Sequence, residues 1–155
     1  MLFNEETYRF MRAALGEARI AMDEGEIPVG AVIVAEGKII GKGHNSTEKL
    51  KDPTAHAEIL AIREASEFIG EKFLSECDIY ITVEPCMMCA GAILLSRIRH
   101  VYFGAFEPKF GACGSVFNLI ETEKYNHRPK VFSGILAEES EELLKKYFES
   151  KRKNN

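Results

Sequence analysis

The chain has 155 residues, the size of one ordinary domain and long enough to bury a core without disulfide or metal staples. Its 46% hydrophobic and 28% charged composition fits a soluble globular protein and leaves no apolar run of membrane-spanning length. A net charge of −4 argues against wholesale nucleic-acid binding but leaves room for a local basic surface.

The opening Met1-Leu2-Phe3-Asn4-Glu5-Glu6 has neither a basic n-region nor an apolar core, so no secretory signal and a cytoplasmic home are expected. From about Glu5 to Asp23, Phe10, Met11, Ala14, Leu15, Ala18, Ala21 and Met22 recur at helical spacing, and Gly25 stops the run. Val29 to Val34 and Lys38 to Gly43 are β-rich runs around Glu36-Gly37, which reads as a hairpin. Asp52-Pro53-Thr54 predicts the start of a second helix running to about Glu67, capped by Asp52 or Thr54, with His56 and Glu58 in its opening turn.

Asp78 to Val83 is a predicted strand, and a third helix follows from Glu84-Pro85 to near Ser96 with Cys86 and Cys89 at its N-terminus. His100 to Gly104 is a further strand, Phe106 to Ser115 a glycine-rich loop, Val131-Phe132 a last short strand and Leu136 to Lys151 a last helix. The alternation predicts an α/β fold, one mixed sheet with helices on both faces. The last helix is acidic from Glu138 to Glu142 and basic at Lys145-Lys146 and Lys151-Arg152-Lys153.

Cys77, Cys86, Cys89 and Cys113 are the four cysteines, and in a reducing compartment a close pair points to metal or redox chemistry rather than a disulfide. His56 with Cys86 and Cys89 supplies one nitrogen and two sulfurs, a set that Zn²⁺ accepts in a tetrahedron with one position left over. Structural zinc sites are filled by four protein side chains, whereas catalytic ones keep a place for water. Residues two apart on a helix point about 200° apart, so His56 and Glu58 can converge only at a helix tip. Cys86 and Cys89 also lie at a helix start, so the metal is expected between two helix N-termini, where thiolates are favoured.

Water acidified by such a metal supplies hydroxide near neutral pH, and Glu58 beside it can take one proton and deliver others. That is the relay a hydrolytic deamination of an aromatic amine needs. The bland readings are a closed structural site with Cys77 or Cys113 as fourth ligand, a thioredoxin-like redox pair, and a plain solvated Glu58. Cys113 reads as a small hydrophobe, with a third metal thiol as the minor alternative.

His56-Ala57-Glu58 followed by Pro85-Cys86-x-x-Cys89 resembles the zinc deaminase signature of the cytidine deaminase superfamily. Pro28-Val29-Gly30-Ala31-Val32, Asn45, Asp52-Pro53-Thr54-Ala55, Ala90-Gly91-Ala92, Ser96-Arg97-Ile98, Gly111-Ala112-x-Gly114-Ser115 and Asn126-His127-Arg128 extend the likeness to the bacterial tRNA-specific adenosine deaminases along nearly the whole chain. The resemblance implies a single zinc-dependent domain over residues 1–155. Its fold is expected to be a cytidine deaminase-like three-layer α/β/α sandwich around a central mixed five-stranded sheet. It implies hydrolytic conversion of the wobble adenosine of a tRNA anticodon stem-loop to inosine, with one Zn²⁺ per subunit of a homodimer.

On the same resemblance, His56, Cys86 and Cys89 are metal ligands and Glu58 is the proton shuttle, while Val29, Asn45 and Ala57 form the base and ribose pocket. Glu107, Lys109, His127, Arg128, Phe148, Lys151 and Arg152 fall in the region that meets RNA. From helical spacing alone Phe148 reads as a core position beside Leu144, and the lysines as a solvated face. Glu107-Pro108-Lys109-Phe110-Gly111-Ala112 departs from the Asp-x-Lys-x-Gly-Ala pattern expected there, which lengthens the carboxylate by one methylene. The helix after Pro85 is apolar nearly all round through Met87, Met88, Ala90, Ala92, Ile93, Leu94 and Leu95, which fits a subunit boundary. The rival readings are a deaminase of a free base or nucleoside, guanine or cytosine for example, and a non-catalytic zinc-binding RNA module.

Overall fold

A computed structural model describes residues 3–154. α1, Glu5–Asp23, opens on Asn4, whose side-chain oxygen accepts the Thr7 amide at 2.9 Å. Its apolar period buries Phe10, Met11, Ala14, Leu15, Ala18 and Ala21 on one face. β1, Gly30–Ala35, and β2, Lys38–His44, pair antiparallel, and the turn between them sets Glu36 at φ 51° and Gly37 at φ 75°. Two left-handed residues in succession are what a tight hairpin turn requires, which explains a glycine there.

A four-residue helix, α2 at Thr47–Leu50, follows β2 and was not expected, being too short to carry a period. α3 spans Ala57–Ile69, so the helix expected from Asp52-Pro53 begins later. The correction has a local cause. The Asp52 carboxylate accepts the Thr54 amide at 2.8 Å and the Thr54 hydroxyl at 2.7 Å, closing a turn of its own instead of capping a helix. His56 is therefore the N-cap residue, with extended backbone, and Glu58 lies in the first turn.

β3, Cys77–Val83, leads into α4, Met87–Leu95, whose N-cap is Cys86. β4, His100–Ala105, and the short β5, Lys130–Phe132, complete the strands, and α5, Ala137–Lys153, closes the described chain. The sheet has five strands in the order β2-β1-β3-β4-β5. β1 runs antiparallel to β2 and β3, while β3, β4 and β5 are mutually parallel.

Strand alternation divides the core into layers. Ala31, Ile33, Ile79, Ile81, Val101 and Phe103 pack against α3 and α4. Val32, Val34 and Tyr80 face the other way, onto Phe10, Met11 and Ala14 of α1. α5 joins that second side through Leu143, which packs with Leu15 and Ala18, and through Ser140, whose hydroxyl donates to the Thr82 carbonyl at 2.6 Å. The mixed five-stranded sheet with helices on both faces is thus the architecture the sequence predicts.

Two glycines fix where α3 begins. Gly41 and Gly43 of β2 meet the backbone of Ala61 and Ala57, and a Cβ at either would collide with those carbonyls. The buried Ala57, Ala61 and Ala65 form the matching stripe on α3, so the helix lies almost directly on the strand. This close contact sets the position of the helix tip that carries His56 and Glu58. Among the described residues no helix is long and apolar enough to cross a membrane.

Candidate active site

The segments leaving the C-terminal ends of the parallel strands β3 and β4 meet the tip of α3. There the Nδ1 of His56 lies 3.6 Å from the Sγ of Cys86 and 3.6 Å from the Sγ of Cys89. All three donor atoms lie within 4.8 Å of one another, and among the described residues no further His, Cys, Asp or Glu joins them. Tetrahedral zinc, with Zn–N about 2.05 Å and Zn–S about 2.3 Å, has N···S edges of about 3.6 Å, so the donor set fits the ion. Cys77 and Cys113 stand outside the group; both are buried, and burial pushes each thiol up, as for small hydrophobes. That geometry removes the closed four-ligand reading.

Both helix tips favour negative charge. Cys86 caps α4 and Cys89 sits in its first turn. The Cys86 thiol is lowered to about 4, first by the hydrogen bond from Cys89 and then by His56, and the donor Cys89 is pushed up in return. His56 is raised, chiefly by its hydrogen bond to Cys86. A cation received by the trio would displace the remaining thiol proton, since the thiolate is the ligand.

Glu58 lies beside this group and is only 4% exposed. Burial is the largest cause lifting its carboxyl from 4.5 to about 7, so it is poised to hold or release a proton near neutrality. It lines a cleft of about 450 Å³ together with Val29, Asn45, His56, Ala57 and Cys86. Asn45 is 8% exposed, and its Oδ1 is buried without a hydrogen-bond partner among the described residues. An orphan acceptor in a cleft wall is free to take a donor from a bound molecule. The substrate-pocket residues expected from sequence thus converge on one cavity.

Two buried carboxylates that sequence reasoning gave no role hold the walls of this cavity. Glu26 accepts the amides of Glu48 at 3.0 Å and Lys49 at 2.8 Å, which fixes α2 and the wall residue Thr47. Glu84 accepts the amides of Glu107 at 3.0 Å, Cys113 at 2.9 Å and Ser115 at 3.0 Å, and also the Ser115 hydroxyl. Burial pushes the Glu84 carboxyl up, but the hydrogen bonds from Ser115, Glu107 and Cys113 outweigh it and hold the group below its ordinary value. The available signal was a carboxylate at the end of an apolar strand, where an unpaired charge is costly.

Glu84 thereby binds the loop at 106–115 to the start of α4. Gly111 bridges to Cys86 and sits so close to Glu84 that a Cβ would collide with its carboxylate. Glu107 lines the cleft and accepts the Lys109 amide at 2.9 Å, while the Lys109 side chain is exposed beside it. His127 does not line the cleft; its Nε2 donates to the Ile98 carbonyl at 2.8 Å. Arg128 and Arg152 are exposed, and the Lys151 ammonium stands 5.5 Å over the Tyr147 ring. Phe148 is 47% exposed, so the core placement suggested by its spacing is wrong: Leu143 and Ser140 hold the buried stripe of α5 and Phe148 falls beside it.

A family profile described as MafB19-like deaminase matches residues 5–152. The tRNA-specific adenosine deaminase of Aquifex aeolicus (strain VF5) is 50% identical over 145 residues, 94% of this chain and 95% of that protein. The chain belongs to the tRNA-specific adenosine deaminase family. Likeness in three dimensions agrees. A solved tRNA:A34 deaminase, from studies of A-to-I editing at the wobble position, shares 46% identity over 88% of this chain and 99% of its own, with a TM-score of 0.84. The guanine deaminase of Bacillus subtilis is a more distant structural neighbour, at TM-score 0.62 and 42% identity over 67% of this chain and 66% of its own. Within the tRNA-specific adenosine deaminase family, the His56, Cys86 and Cys89 group is a candidate metal site at the head of an enzyme cleft.

Proposed function

We propose that the chain is one zinc-dependent domain that hydrolyses the wobble adenosine of a tRNA anticodon stem-loop to inosine. The observation that carries this reading is Glu58, a nearly fully buried carboxylate beside a three-donor metal set in a cleft of about 450 Å³. His56, Cys86 and Cys89 would hold the zinc, one per subunit. When bound, the zinc acidifies water and so makes a nucleophile available near neutral pH.

The chain's own residues do the remaining work. Glu58 takes the proton from the attacking water as general base. It passes that proton to the ring nitrogen, then takes the second from the hydroxyl now on the ring carbon and delivers it to the amine as the C–N bond breaks, so that adenine and water give hypoxanthine and ammonia. Val29 and Ala57 supply apolar walls to the base, and the free Oδ1 of Asn45 accepts a donor from the nucleoside. Closing the base into this cleft requires it to leave its stack, which an unpaired anticodon loop permits at low cost.

Glu107 and Lys109 lie at the cleft rim and on the loop beside it, where a ribose and a phosphate would pass. His127, Arg128, Phe148, Lys151 and Arg152 are assigned to the flanks of the RNA. The exposure of Leu95 at 80%, on a helix that is apolar nearly all round, supports a homodimer packed through α4. Four free cysteines fit a reducing cytoplasm.

The likeness to a guanine deaminase keeps a free base as the second reading, since it would use the same metal centre. Incubating the zinc-loaded chain with a synthetic anticodon stem-loop, and separately with adenosine, guanine and cytidine, distinguishes the two. Inosine in the RNA is the expected result. Turnover of a free compound without inosine in the RNA would reverse the assignment.

A further inference from the structure

The lining of the cleft is buried at its floor and open to water at its mouth. Three exposed hydrophobic side chains ring it, Ile27 before β1, Met87 at the start of α4 and Phe110 on the loop at 106–115. Phe110 is the most exposed of them, at 62%. A large aromatic left open to water at a binding site is normally covered when the partner arrives.

Phe110 is not carried on a loose tip. The Gly111 amide donates to the Glu107 carbonyl at 2.9 Å, and the Ala112 amide donates to the Pro85 carbonyl at 2.8 Å. Beneath them the buried Glu84 carboxylate gathers the amides of Glu107, Cys113 and Ser115. The residues on either side of Phe110 are therefore fastened to the segment that presents Cys86. An aromatic ring with two torsions on such a base loses little entropy on contact.

A cleft of about 450 Å³ is the size of a small-ligand pocket, so the neighbours of a nucleotide drawn into it stay at the mouth. Withdrawing one base from a strand also deprives those neighbours of a stacking partner. A ring face at the mouth can replace it, and Lys109 beside it supplies positive charge to the adjoining phosphate.

We propose that Phe110 is a stacking platform for one of the two nucleobases adjoining the reacting adenosine, and so favours single-stranded RNA over a free nucleoside. The inference rests on the proposed RNA substrate. Its occupant is a flanking base of that RNA, as distinct from the base being deaminated or a second copy of the chain.

The test is RNA affinity measured by fluorescence anisotropy, on the zinc-loaded chain carrying Glu58→Ala so that substrate is not consumed. Phe110→Ala and Phe110→Trp are compared in that background, on the anticodon stem-loop and on two stem-loops with an abasic residue immediately 5′ or 3′ of the wobble adenosine. Phe110→Ala is expected to weaken binding of the intact loop about 5-fold to 150-fold, the range for loss of one base–aromatic stack, and Phe110→Trp to retain it. One abasic loop should bind more weakly to the parent chain and lose nothing further on Phe110→Ala. Unchanged affinity of Phe110→Ala overturns the proposal, as does an equal loss on both abasic loops. A loss that tracks dissociation into monomers assigns the ring to a subunit contact and overturns it as well. If stacking holds but the chain with Glu58 restored makes no inosine, the reaction assignment alone fails; no binding of the stem-loop ends both.

Discussion

His56 and Cys86 are each the N-cap residue of a helix, and the Nδ1 of one lies 3.6 Å from the Sγ of the other. Two helix tips therefore face each other across the donor trio, with Cys89 in the first turn of α4. The arrangement explains why a histidine and a glutamate two residues apart serve one site. His56 stands just outside α3, and Glu58 stands just inside it.

On the proposed mechanism, replacing Glu58 by Ala removes the proton carrier and leaves the donor trio intact. Zinc content and RNA affinity should match the parent, while inosine formation falls about 10²-fold to 10⁴-fold, the usual contribution of a positioned acid–base group. Metal analysis and a single-turnover assay read both quantities. Unchanged activity would take Glu58 out of the mechanism.

Glu84→Gln puts an amide donor among the amides of Glu107, Cys113 and Ser115, and is expected to cost about 2–3 kcal/mol at neutral pH. The pH dependence has a definite sign. Because the folded carboxyl is held below its ordinary 4.5, its stabilisation is full above that value and is lost as the pH falls through the lower, folded one. The gap in unfolding free energy between parent and Glu84→Gln should therefore narrow with acidification below 4.5. A gap that widened on acidification would contradict the assigned hydrogen bonds.

At Gly43 any side chain runs into the Ala57 carbonyl. Gly43→Ala should push α3 off β2, cost about 1–3 kcal/mol by overpacking, and displace the tip that holds His56. Zinc affinity should fall along with thermal stability. Loss of stability with unchanged zinc affinity would show that the strand does not set the position of the ligand.

For Lys109→Ala the salt dependence of RNA binding is the decisive readout. Each phosphate contact releases counterions, so losing one should weaken binding and make the plot of log affinity against log salt shallower by about 0.7–0.9. An identical slope would place the ammonium away from the phosphates.

Much of the candidate site is legible in the sequence because its chemistry is local. His56, Glu58, Cys86 and Cys89 are recognised by type and spacing, and helix geometry alone requires the first two to meet at a tip. The start of α3 lies later than the expected one for an equally local reason. Asp52 has the right chemistry for a cap, and only the folded chain shows that it closes a turn on Thr54 instead. Phe148 deceived in the opposite direction, since two partly apolar stripes run along α5 and the spacing does not say which one faces the sheet. Glu26 and Glu84 have no local signature; their partners lie more than twenty residues away, at Glu48 and Lys49 and at Glu107, Cys113 and Ser115.

The proposed chemistry needs a metal held by one imidazole and two thiolates with room left for a reactant. Zinc-edge X-ray absorption on the purified chain counts the sulfur neighbours of that ion. Two sulfur neighbours at about 2.3 Å with only lighter atoms completing the shell is the predicted result. A third or fourth sulfur in the shell, from Cys77 or Cys113, would describe a closed structural site with no position for a reactant.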